Sequence, residues 1–98
     1  MIREKTIESS VLIVHLAGRL DSVTTPQVEK ELKTDVASVR ALVLDFKDLE
    51  YVSSAGLRMI LKLHKKMKKK DGMTIKNVNK SIMEVFALTK FAEILRIE

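Results

Sequence analysis

Two serines stand side by side in the stretch YVSSAGLRMIL, where Ser53 and Ser54 are followed by Ala55, Gly56 and Leu57, and an earlier polar run, GRLDSVTT, supplies Asp21, Ser22 and Thr24. Hydroxyls and carboxylates so placed can serve as a nucleophile with its base, as helix caps, or as an acceptor of a phosphoryl group. A serine nucleophile needs a neighbouring base, usually histidine. Only His15 and His64 are available. His15 is inside the apolar run VLIVHLA, and His64 follows the serines by about ten residues, close to three helical turns. Neither reaches readily, so His15 reads as a core-edge residue and His64 as a helix-face residue. VSSAG lacks the first glycine of a G-x-S-x-G elbow, and the chain has neither a G-x-x-x-x-G-K-[ST] loop nor a G-x-G-x-x-G fingerprint. The absence of cysteine removes disulfides, thiolate catalysis and cysteine-held metals together. A non-enzyme without metal or cofactor is expected.

The binding and modification readings remain. A helix amino terminus presents unpaired N–H groups and a partial positive charge, and so favours an anion. A serine there can be an N-cap worth about 1 kcal/mol. It can equally be phosphorylated, which adds about −1.5 to −2 charges and three acceptor oxygens. Asp21 and Asp48 can be turn formers or contacts for a partner. Gly56 costs about 1 kcal/mol relative to alanine within a helical turn, so either close packing or the approach of a partner must explain it.

The elements that position these residues follow from periodicity. Ile2 to Ile7 alternates weakly, ESS signals a turn, and Val11 to Ala17 is a continuous apolar run, which together predict a hairpin that Gly18 closes. Thr25-Pro26 suits an N-cap with proline at N1. Val28, Leu32 and Val36 then give a helix one buried stripe, with fraying expected from Thr34 to Ser38. Ala41 to Phe46, ALVLDF, reads as a central strand covered on both faces. Leu57, Ile60, Leu61, His64 and Met67 recur at helical spacing, and KKKDG ends that helix with Gly72 at C′. Met73 to Val78 reads as a strand. Asn79 or Ser81 caps a third helix with Ile82, Val85 and Phe86 inward, and AEILRI closes the chain as a strand. The order β-β-α-β-α-β-α-β predicts an α/β domain with a mostly parallel sheet and an antiparallel N-terminal strand. In such a sheet the loops leaving the strand carboxyl ends gather on one edge, so GRLDSVTT and KDLEYVSSAG should bring Asp21, Ser22, Thr24, Asp48, Ser53 and Ser54 together.

Composition sets the outer limits. The 98 residues suit one core, and 46 % hydrophobic content argues against disorder. The longest apolar run, Val11 to Ala17, is far short of the roughly 18 residues a membrane span needs. MIREKTIESS has charges where a signal peptide needs an apolar stretch, so a cytoplasmic protein with no membrane partner is expected. The net charge of +5 is uneven, with Arg58, Lys62, Lys65, Lys66, Lys68, Lys69 and Lys70 close together. Lysines in a last helical turn complement the macrodipole, and no aromatic interleaves with them to stack on bases. A solvated helix end is expected there rather than a nucleic-acid patch.

The runs LAGRLD, ALVLDFKDLEYVSSAGLRMIL and NKSIMEVFALTKFAEILRI, in that order and spacing, resemble the STAS domain of bacterial anti-sigma factor antagonists, and the resemblance covers nearly the whole chain as one domain, residues 1–98. Its most specific part is DLEYVSSAGLR, Asp48 to Arg58; Gly18 to Asp21 supports it. The resemblance implies a protein that binds a serine-kinase anti-sigma factor and so releases a sigma factor. It also implies that the kinase phosphorylates the antagonist and ends binding, and that a PP2C-type phosphatase reverses this. The implied phosphoacceptor is Ser54, two residues before the motif glycine; Ser53 takes a place where one subgroup has aspartate. Asp21, Ser22, Thr24, Ser53, Ala55, Gly56, Leu57 and Arg58 are the implied partner contacts. Two other readings stay open: a constitutive STAS scaffold in a signalling or lipid-transport assembly, and a basic nucleic-acid-binding domain using Arg58 to Lys70.

Overall fold

The computed structural model describes residues 1–98. Its elements are β1 (Ile2–Glu8), β2 (Val11–Leu20), α1 (Thr25–Ser38), β3 (Ala41–Val52), α2 (Ser54–Lys68), β4 (Met73–Lys76), α3 (Lys80–Leu88) and β5 (Arg96–Ile97), with a 3-10 turn at Phe91–Glu93 before the last strand. The strands form one sheet in the order β1-β2-β3-β4-β5. β1 runs antiparallel to β2, and the other neighbours are parallel. Both the α/β order and the central place of Ala41–Phe46 agree with the periodicity.

All the helices pack on one face. Leu12, Val14 and Leu16 of β2 and Leu42, Leu44 and Phe46 of β3 join Leu32 of α1, Ile60 of α2 and Phe86 of α3 in a core of 22 buried residues. The expectation that β3 is covered on both faces is therefore corrected. Ala41 and Val43 point to the other face, where they are only half-buried. They are flanked in register by Val11, Ile13 and Thr74 of the neighbouring strands rather than roofed by a helix. No helix is long and apolar enough to cross a membrane.

The largest departure from the sequence reading is in strand length. β2 continues through Gly18 to Leu20 and β3 through Lys47 to Val52, so most of KDLEYVSSAG is strand and not loop. The register between them slips twice, from His15↔Asp45 to Ala17↔Asp48 and from Gly18↔Leu49 to Arg19↔Tyr51. Each slip gives β3 an extra residue, as a β-bulge does. The buried positions of β3 accordingly pass from Leu42, Leu44 and Phe46 at every second residue to Leu49 and Val52 at every third. Gly18 adopts φ +75° within β2 and bends the strand instead of ending it.

Local details account for the remaining boundaries. Ser9 and Ser10, both at positive φ, make the two-residue turn of the β1–β2 hairpin. Thr25 is the first residue of α1 and is buried, with Thr24 before it, so it is not the N-cap. α1 does not fray at Thr34: it reaches Ser38, and the Lys70 ammonium donates to the carbonyls of Val36, Ala37 and Val39 at 2.9, 3.1 and 2.7 Å. Those carbonyls have no intrahelical partner at a helix end, so Lys70 is a structural lysine. In α2 the buried stripe is Gly56, Met59, Ile60, Leu63 and Met67. Leu57, Leu61 and His64, expected inward, are half-buried on its flank. Gly72 is three residues past the C-cap Lys69, at φ +99°, and closes a turn rather than standing at C′. Asn77 at φ +59° stops β4 short of Val78. Asn79 is the cap of α3: its Oδ1 accepts from Ile82 N at 2.8 Å and its Nδ2 donates to the Leu49 carbonyl at 3.0 Å. Of AEILRI, only Arg96–Ile97 is strand, because the 3-10 turn takes Ala92 and Glu93.

Candidate functional site

The two extended strands end together, with Leu20 paired to Val52, and the chain leaves each of them for a helix. The Ser53 N–H donates to the Leu20 carbonyl at 2.8 Å, fixing the start of α2 to the end of β2. This bond brings the 21–24 turn and the 53–58 segment into one site.

The two serines have different places. Ser53 is the N-cap of α2, half-buried, and its hydroxyl accepts from Gly56 N at 3.5 Å. Ser54 is the first helical residue, exposed and outside the cap. The first turn of α2 carries no acidic side chain, so nothing on the helix itself offsets the positive end of its macrodipole. Arg58, also exposed, follows Ser54 by one helical turn. Ala55 and Leu57 are half-buried beside them.

Gly56 is buried, and packing explains it. A Cβ at this position would meet Val52 Cγ1 at 2.9 Å and the Leu20 Cβ and carbonyl oxygen at 3.0 Å. The small residue lets the first turn of α2 settle on the ends of β2 and β3, and Gly56 itself does not face outward.

Asp21 and Thr24 shape the neighbouring turn. The Asp21 carboxylate accepts through Oδ1 from the N–H groups of Val23 and Thr24, both at 3.0 Å. Thr24 Oγ1 accepts from Asp21 N at 3.0 Å and donates to the Arg19 carbonyl at 2.6 Å. The backbone N–H of Thr24, then that of Val23, holds the Asp21 carboxyl below its ordinary value of 3.8, with smaller help from the Thr24 hydroxyl and the Arg19 charge. Only Oδ2, 3.6 Å from Arg19 Nε, is left to face outward. Ser22 is exposed on the same turn.

Asp48 lies elsewhere. It pairs with Ala17 inside the extended strands and binds Arg3 at 2.7 Å, so the expectation that it shares this edge is corrected. Three residues that the sequence reading did not single out do flank the site. Arg19 and Tyr51 face one another on the rung before Leu20 and Val52, with the guanidinium 4.1 Å from the ring centroid, and Val23 is exposed at the tip of the turn. The signal for Arg19 and Tyr51 is the apolar spacing of Leu49 and Val52, which identifies a continuing strand once a three-residue step is allowed.

The other polar cluster is on the open sheet face. His15 Nδ1 is 3.1 Å from Asp45 Oδ2, and Asp45 Oδ1 accepts from Asn77 Nδ2 and Lys47 N, both at 2.9 Å. Burial pushes the Asp45 carboxyl up, but the Asn77 amide, the Lys47 N–H and the His15 and Lys47 charges outweigh it and hold it low. At strand rise this cluster is roughly 20 Å from Ser54. No imidazole stands beside the serine.

The family model described as "STAS domain" matches residues 3–98. The chain is 35 % identical over 86 residues to the "Putative anti-sigma factor antagonist BtrV" of Bordetella bronchiseptica, covering 86 % of this chain and 74 % of that one. A crystal structure of an anti-sigma factor antagonist from Mycobacterium paratuberculosis superposes with TM-score 0.88 at 24 % identity, covering 99 % of this chain and 83 % of the other. The Bacillus cell fate determinant SpoIIAA is similar in both of its forms at 16 % identity. Its unphosphorylated form gives TM-score 0.78 over 100 % of this chain and 87 % of that one. Its phosphorylated form gives 0.77 over 100 % and 91 %.

Proposed function

This chain belongs to the STAS domain family, and we propose that it is an anti-sigma factor antagonist that binds an anti-sigma factor while Ser54 is unmodified and lets go when Ser54 is phosphorylated. The observation that carries this reading is the sorting of the two serines: Ser53 is held in the cap, and Ser54 is exposed on the first turn of α2. In this reading the partner is a serine kinase that acts on Ser54, and a PP2C-type phosphatase restores the binding form. The partner meets Ser54 with Ser22, the outward oxygen of Asp21, Arg58 and the flanks of Ala55 and Leu57. Ser53 and Thr24 hold the backbone beneath that surface, and Gly56 lets it lie close to the sheet. The protein performs no reaction of its own and acts in the cytoplasm.

The switch follows from charge. A phosphate on Ser54 adds about −1.5 to −2 charges. At the start of α2 it meets the macrodipole's positive end and can pair with Arg58 one turn on, so the fold tolerates it. At an interface the same group must be desolvated or face partner acids, which costs binding. Incubation with the cognate kinase and ATP, followed by mapping of the phosphate, tests the assignment. Modification of the wild type and of Ser53→Ala, with none in Ser54→Ala, is the expected result. Equal modification of Ser54→Ala overturns it. No modification of the wild type together with unchanged partner affinity of Ser54→Asp would instead identify a constitutive scaffold.

A further inference from the structure

We infer that the groove between α1 and α2 is a second interaction surface, separate from the Ser54 site, and that it binds an acidic protein segment through central apolar side chains flanked by carboxylates. The groove holds about 400 Å³. Leu32 and Val36 of α1 and Met59 and Leu63 of α2 form its floor, and Lys30, Lys33, Lys62 and Lys66 stand along its walls with one acid, Glu29. It continues past Val36 to Lys69.

Charge is what distinguishes this surface. Residues 29–33 and 62–69 carry seven lysines against Glu29 and Glu31, an excess equal to the whole net charge of +5; the other eleven cations balance eleven acids. Of those eleven cations, six are ion-paired, Arg3 with Asp48, Lys5 with Asp35, Arg19 with Asp21, Arg40 with Asp71, Lys76 with Glu98 and Lys90 with Glu93, and Lys70 is held by carbonyls at the end of α1. In the groove only Lys62 has an acid partner, Glu29 at 3.6 Å. The macrodipole accounts for Lys65, Lys66 and Lys68 in the last turn of α2. It gives no reason for Lys30 and Lys33, which lie in the middle of α1 and line the groove with Lys62 and Lys66. Like charges gathered from two helices repel, and the Glu29–Lys62 pair offsets that repulsion only in part.

The occupant's chemistry follows from shape. The floor is apolar, and the lysine stems extend it while their ammonium groups stay at the rim. A phosphate backbone has no group for such a floor, and no aromatic residue lines it to stack on bases. A flat lipid surface would rest on the rim and leave the floor empty. A peptide that presents leucine-sized side chains between glutamates or aspartates satisfies both parts, in the helix-in-groove manner.

The test uses the full chain and a synthetic glutamate-rich peptide with leucines at i, i+4 and i+7, titrated while amide chemical shifts are followed. Three controls accompany it: a peptide of the same composition with scattered leucines, a random DNA duplex, and phosphatidylglycerol vesicles. The expected result is saturable binding with shifts centred on Lys30, Lys33, Met59, Lys62, Leu63 and Lys66. Binding by Lys33→Glu/Lys66→Glu should be weaker by about tenfold, and by Lys33→Gln/Lys66→Gln by less, as expected for solvent-exposed charge pairs. Both positions substituted are exposed lysines, so an unchanged spectrum away from the groove verifies the fold. Shifts outside the groove, equal binding of the scattered peptide, unchanged affinity of the Glu variant, or tighter binding of duplex or vesicles would overturn the inference.

Discussion

Ser54 and Gly56 are two residues apart and do opposite work, one facing solvent and the other closing the core. Gly56 has Leu20 and Val52 atoms within 3.0 Å of where a Cβ would lie, one of them a backbone carbonyl that cannot swing aside. Gly56→Ala should therefore destabilise the fold by about 1–3 kcal/mol, overpacking outweighing alanine's better helix propensity. A lowered urea midpoint with an unchanged slope is the expected measurement. Ser54→Asp should leave the urea midpoint unchanged or raise it, since an anion at this helix start is electrostatically favoured. The sequence alone left packing and partner access equal as reasons for Gly56, because that choice depends on a β2 residue far away in the chain. Asp21 adds a pH dependence. Its folded value is depressed, so its contribution is present above the ordinary value of 3.8 and is lost as pH falls through the lower folded value. The amide resonances of Val23 and Thr24, which donate to it, should move together with a midpoint below 3.8.

At the level of elements, the parts with a constant period were legible and the parts where the period changes were not. Val28, Leu32 and Val36 follow a steady helical step, and all three are buried. The ends of β2 and β3 look like loops in the sequence because two bulges change the burial step from two residues to three, which removes the alternation that marks a strand. GRLDSVTT and VSSAG do meet, and the same bulges carry Asp48 away from them and bring Arg19 and Tyr51 beside them. The β1–β2 hairpin was legible from its turn signal, and its chemistry leaves room for improvement. Ser9 and Ser10 at φ 49° and 63° occupy positions that favour Asn-Gly. Ser10→Gly should stabilise by about 0.5–1 kcal/mol, the relief of left-handed strain exceeding glycine's entropic cost. A melting temperature higher by a few degrees is the measurement.

Across the whole molecule, α2 connects two surfaces of opposite need, an amino terminus whose dipole favours an anion and a carboxyl-terminal half that gathers lysines against α1. Ser54 and Lys66 are twelve residues apart, roughly 18 Å by helical rise. That distance exceeds the screening length of about 8–10 Å at physiological salt. A phosphate on Ser54 should then change the affinity of the groove for an acidic peptide by less than about twofold at that ionic strength. At about 0.01 M salt the screening length grows to about 30 Å, and the phosphate's negative charge should reach the groove and weaken acidic-peptide binding. Titrating the peptide into phosphorylated and unmodified protein at both salt concentrations separates the cases. Coupling that appears only at low salt identifies two independent sites sharing a field. Strong coupling at physiological salt requires the packing of α2 to carry it, and would join switch and groove into a single interface.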